Sequence, residues 1–225
     1  MRKLGMRASQ VLIAVAVVVV GMVAAWLIGL NFAVMAVLVA VVLVGAAGLQ
    51  LIRRGSGERS GGTARFVLHV VAAAAVTFAI IQVIPAGRDH PNPTVTGEPE
   101  WADPRARDLM VSACFGCHSN EVQWPAYSNV APLSWAISEH VDEGRAAVNY
   151  SEFDRPQEEA EETLEVLLEQ SMPPDYYTRF GLHSEANLSE RQLADLIMWV
   201  RATPGLSDTE DGEDTEDGED DSEGD

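Results

Sequence analysis

Residues 109–118 read LMVSACFGCH, and the last five, Cys114-Phe115-Gly116-Cys117-His118, decide how the rest of the chain is read. They contain both cysteines of the 225-residue chain, with a histidine directly after the second. On a helix the three reactive side chains fall at i, i+3 and i+4 and share one face. Two thiols and an imidazole so placed suit covalent attachment of one haem c: the thiols add to its vinyl groups and His118 points at its iron. Structural zinc fits worse, because a closed zinc site takes four ligands and no second Cys/His pair follows at finger spacing. A thioredoxin-like redox pair belongs in a βαβ context that the downstream residues lack. A plain disulfide stays open but leaves His118 unexplained.

Around this motif, the chain combines 47% hydrophobic residues with a net charge of −19, which is reconcilable only if oil and acid are segregated. Residues 1–86 are almost wholly apolar, whereas residues 207–225 carry 12 acidic side chains and no basic one. This tail holds TEDGED twice in succession and is expected to be disordered. So acidic a chain is not expected to bind nucleic acid.

Three apolar runs, 11–30, 32–52 and 66–86, each reach the roughly 20 residues that a membrane-crossing helix needs. Gly29 and Asn31 mark a tight turn between the first two. A cleaved signal peptide would have a shorter apolar core and a small-residue cleavage site. Arg2, Lys3 and Arg7 precede the first run, and Arg53, Arg54, Arg59 and Arg65 lie between the second and third. By the positive-inside rule both clusters stay cytoplasmic, which places everything after Ala86 outside the cytoplasmic membrane. That is the compartment in which haem c is attached. His69 and Gln82 are polar residues within the third run, and His69 is expected to reach the headgroups.

Residues 87–100 (GRDHPNPTVTGEPE) read as an extended linker, and 101–206 as the haem domain. Four helices are expected there. The first starts at Asp103-Pro104, with a capping Asp and a Pro just inside, and runs into the cysteine motif. The others cover about 132–143, 157–170 and 188–200. The whole is therefore all-α: membrane helices, a small four-helix cytochrome c-like domain and an acidic tail. Met172, in Ser171-Met172-Pro173-Pro174, is the expected distal iron ligand, since flanking prolines hold it extended and away from a core role. His183, His140 and Met110 are the alternatives. Trp124, Tyr127, Pro132, Trp135, Tyr176 and Tyr177 are candidates to cover the porphyrin, and a carbonyl near Pro125 or Pro132 to accept the His118 Nδ1 proton.

The strings CFGCHSNEVQWPAYSNVAPLSW, HVDEGRAAVNYSEF and SMPPDYYTRFGLHSEANLS resemble the bacterial haem-binding domain family over about residues 81–203. The resemblance implies haem c held by Cys114, Cys117 and His118, with Met172 at the position of the family's methionine. The hairpin of residues 11–52 and the acidic tail are extra to that pattern, and Ala126 stands where the family often has tryptophan.

Together these readings predict a membrane-anchored, single-haem electron carrier that works beyond the cytoplasmic membrane. Its expected partners are the lipid bilayer, the cytochrome c maturation machinery and a redox protein, for which the acidic tail favours a basic surface. The competing reading is a haem sensor or peroxidase-like protein whose distal ligand exchanges.

Overall fold

The computed structural model describes residues 8–55, 63–181 and 183–207. The acidic run from 208 and the basic residues Arg2, Lys3, Arg7 and Arg59 lie outside the described residues. Those that are described form helices and turns, and their single β pairing is an isolated bridge between Gly97 and Glu152.

The first three helices, α1 (Ala8–Ile28), α2 (Phe32–Gly55) and α3 (Thr63–Ile81), are long and apolar enough to cross a membrane. Their outward surfaces are apolar: Leu12 is 70% exposed, Val44 72% and Ile52 72%. Such surfaces suit hydrocarbon and are the reverse of what water selects. Where the helices meet, small residues let the backbones approach. Ala46 and Ala73 are buried between α2 and α3, and a Cβ at Gly21 would stand 2.5 Å from Val39 Cγ2. His69 is buried among them rather than turned to the headgroups, a correction to the sequence-based expectation.

The third helix ends earlier than its apolar run, at Ile81. Gln82 ends it by turning into the following domain: its Nε2 donates to the Ala131 carbonyl (2.8 Å) and its Oε1 accepts from the Ala131 N–H (3.1 Å). Arg88 then donates to the Gln82 carbonyl (2.7 Å) and to its Oε1 (3.0 Å). The segment 87–100 is not extended throughout, because Gly87 (φ 70) and His90 (φ 47) turn its start, and it is packed against the domain. His90 stacks on Trp124 at 4.5 Å, Asn92 donates to the Val122 carbonyl, and Thr96 N–H donates to the Ser151 carbonyl.

Beyond it lie α4 (Pro104–Ala113), α5 (Phe115–His118), α6 (Leu133–Ala147), α7 (Thr163–Leu168), α8 (Asp175–Thr178) and α9 (Glu190–Arg201). The expected cap at Asp103 is present, its carboxylate accepting from Arg105 N–H at 2.8 Å. Ser189 caps α9 in a reciprocal box with Gln192. The expected helix over 157–170 shortens to α7. At its start Gln157 is drawn off to bond Asn149 N–H and the Glu152 carbonyl, and at its end Gln170 sits at φ 54, outside helical space. Met110, Phe115, Leu167, Leu196 and Val200 are buried together, so α4, α5, α7 and α9 share one core.

Candidate haem-binding site

Cys114 ends α4 and α5 carries Phe115 to His118, so the motif occupies a helix break followed by one turn. Phe115 is buried in the core. With Phe115 as the anchor, Cys114, Cys117 and His118 turn to the other side and line a cavity of about 730 Å³. The cysteines are not joined to one another. Although partly exposed, both thiols are enclosed enough for lost hydration to push them up to about 12 (Cys114) and about 11 (Cys117).

Residues immediately after the motif set the proximal wall. Ser119 and Asn120 are buried polar residues, so each needs partners. Ser119 Oγ donates to the Phe115 carbonyl (2.8 Å). Asn120 N–H donates to Ser151 Oγ (2.9 Å), and its side chain bonds Asn149 (3.0 Å) and Glu152 (2.8 Å). This grip draws residues 148–152 alongside the motif, where Tyr150 N–H donates to the His118 carbonyl at 2.9 Å. His118 Nδ1 then lies 3.1 Å from the Val148 carbonyl. With Nδ1–H donating there, Nε2 keeps its lone pair for a metal. Burial lowers the His118 pKa, opposed by its backbone hydrogen bonds, and so favours the neutral imidazole. The acceptor is thus Val148, not a carbonyl near Pro125 or Pro132.

Helix α6 supplies another side through Leu133, Ile137, Val141 and Gly144, spaced as one helical face. Gly144 is required by proximity: a Cβ there would stand 2.8 Å from the Cys117 carbonyl oxygen. Trp135 is two residues on from Leu133, about 200° round the helix, and does not line the cavity. Trp124 is stacked on His90, and Pro132 precedes α6; neither lines it. Tyr127, Met172, Tyr176, Tyr177 and His183 do. Tyr127 hydroxyl bonds His183 Nε2 at 2.9 Å, and Tyr177 stacks on the same imidazole at 4.0 Å.

Of the alternatives to Met172, Met110 is fully buried in the core, with Cys114 Sγ at 3.6 Å from its sulfur. His140 reaches the cavity but its Nε2 lies 2.9 Å from the Gly29 carbonyl. Met172 is 42% exposed and stands in the cavity wall with Pro173 and Pro174. Sequence reading missed Val148, Tyr150, Leu27 and Ile28 as wall residues. The buried polar pair Ser119-Asn120 was the available sign that another segment had to come to the motif; nothing local marks Leu27 or Ile28.

A cavity of this volume falls within the roughly 300–1,000 Å³ range of sites that enclose organic ligands. Apolar walls, two thiols and a neutral imidazole fit a porphyrin with its iron. The fold and cavity thus define a helical haem-binding protein with helices of membrane-spanning length. The sequence model of the haem-binding domain matches residues 76–202, and the chain belongs to that family. Among curated proteins and among solved structures, nothing matched.

Proposed function

We propose that the protein is a membrane-anchored mono-haem c-type cytochrome that transfers electrons at the extracytoplasmic face of the inner membrane. The observation that carries this reading is the meeting of Cys114, Cys117, His118 and Met172 on one cavity. Cys114 and Cys117 would hold one haem through thioethers, His118 would be its proximal ligand and Met172 its distal one. Bound haem supplies a one-electron change of iron valence, and His/Met ligation favours a relatively high potential. The residues of this chain attach, ligate and cover. Val148 fixes the His118 tautomer, Phe115 anchors the motif in the core, and Tyr177 lies against Gly116, where a Cβ would strike its hydroxyl.

The orientation has support of its own. Ser9 Oγ and Thr63 Oγ1 are 3.0 Å apart at one end of the helical bundle. The α1–α2 turn and Gln82 touch the haem domain at the other, through His140 and Ala131. In the sequence the basic residues adjoin the start of α1, the end of α2 and the start of α3, so the positive-inside rule would put the haem domain outside. The partners proposed are the bilayer, the maturation machinery and a redox protein; the acidic tail would attract a basic one by long-range steering.

A redox titration followed by visible spectroscopy tests the assignment. A six-coordinate, low-spin spectrum in both states, with a far-red charge-transfer band in the ferric state, is expected. A five-coordinate ferrous spectrum that binds carbon monoxide rapidly would favour the sensor or peroxidase-like alternative.

A further inference from the structure

We infer that the N-terminal hairpin is a working part of the haem site: the end of α1 closes one side of the cavity and, through Trp26, Gly29 and their contacts, holds the haem at a fixed angle to the bilayer. This rests on the reading of a haem attached at Cys114 and Cys117.

Three observations carry it. Leu27 and Ile28, the last residues of a membrane-length helix, line the same cavity as His118. The hairpin turn is built to fit the domain above it. Gly29 has φ +67, a backbone region open to glycine, and a Cβ there would stand 2.7 Å from His140 Cε1 and 3.0 Å from Tyr176 Cε2. Its carbonyl accepts from His140 Nε2 at 2.9 Å, while the Arg179 guanidinium lies 4.2 Å over the Trp26 ring. Ala25 and Leu30 are buried in one apolar cluster with Ala136 of α6. His140 and Tyr176 line the haem cavity, as Leu27 and Ile28 do, and Arg179 directly follows α8, so the membrane anchor itself makes part of one side of the site.

A domain joined to a bundle at one point can swing about it. This domain is held twice: by the Gln82–Ala131–Arg88 bonds at the end of α3, and by the hairpin turn against α6 and α8. Two separated contacts remove the swing, and the iron's coordination axes then have one orientation relative to the membrane normal.

Electron paramagnetic resonance of the ferric full-length protein in oriented bilayer stacks reads that orientation. In the wild-type protein the haem signals should change strongly as the stack is turned in the field. In Trp26→Ala combined with His140→Ala, the angular dependence should be lost or much reduced, and Gly29→Val should act the same way. Haem staining after denaturing electrophoresis, run on the same samples, reports attachment separately. A wild-type signal that does not change with angle would overturn the inference while a positive stain leaves the haem assignment standing. An angular dependence equally sharp in wild type and in the Trp26→Ala/His140→Ala protein would overturn the hairpin's role, since the α3 contact would then suffice. Should Gly29→Val fail to assemble, the milder pair still decides.

Discussion

The wall that carries Cys114, Cys117 and His118 comes from five consecutive residues, whereas the remainder of the cavity draws on residues from Leu27 to His183. The first is a local structure: one helical turn with Phe115 anchored inward fixes which way all three reactive side chains face. The second exists only when α1, α6, α7 and the Met172 loop converge. Its geometry depends on buried polar bonds such as Asn120–Asn149 and on close approaches such as Gly144 on Cys117, and these also join it to the motif, where Val148 meets His118. A local wall is expected to survive partial unfolding and to govern attachment. An assembled wall is expected to govern ligation and stability.

Substitutions that separate the two walls test this division. The largest effect is expected from Cys114→Ala with Cys117→Ala in a maturation-competent host: haem staining of the denatured chain should disappear entirely. Met172→Ala should leave that staining intact while removing the far-red band and opening the ferrous iron to carbon monoxide. Retention of the band would place the distal ligand elsewhere. A smaller effect is expected from Tyr150→Phe. The Tyr150 hydroxyl bonds Thr163 Oγ1 at 2.9 Å with both residues buried, so its loss leaves a buried polar group unpaired. A loss of about 1–3 kcal/mol in unfolding free energy is expected by denaturant titration, with attachment unchanged.

The smallest effect concerns pH. Bidentate donation from Arg107 to Glu98, at 2.7 and 2.6 Å, lowers the Glu98 pKa against the opposing effect of burial. The stabilisation is therefore complete above the ordinary glutamate range, near about pH 4.3, and is lost as pH falls through the lowered folded-state value. Wild type should melt at a higher temperature than Glu98→Gln at neutral pH, and the gap should close on acidification. A gap that widened instead would contradict the assignment.

How much was legible divides along the same line. The motif, the Asp103 cap and the three long apolar helices are local patterns, and each stands in the structure close to where spacing put it. The shortening of α7 was not legible, because Gln157 is recruited by Asn149 and Glu152 from outside the helix. Trp124 and Trp135 read as haem cover because aromatics suit a porphyrin, yet one is taken by His90 and the other sits on the wrong side of α6. Helix phase relative to the cavity could have excluded Trp135 only once Leu133 and Ile137 were known to face it.

Everything proposed for the iron depends first on covalent attachment at the local wall. Intact mass spectrometry of the wild-type polypeptide, matured in a competent host and then denatured, tests this most directly. A mass raised by one haem is the predicted result; the mass of the bare chain, with haem extractable into acidified solvent, would contradict it.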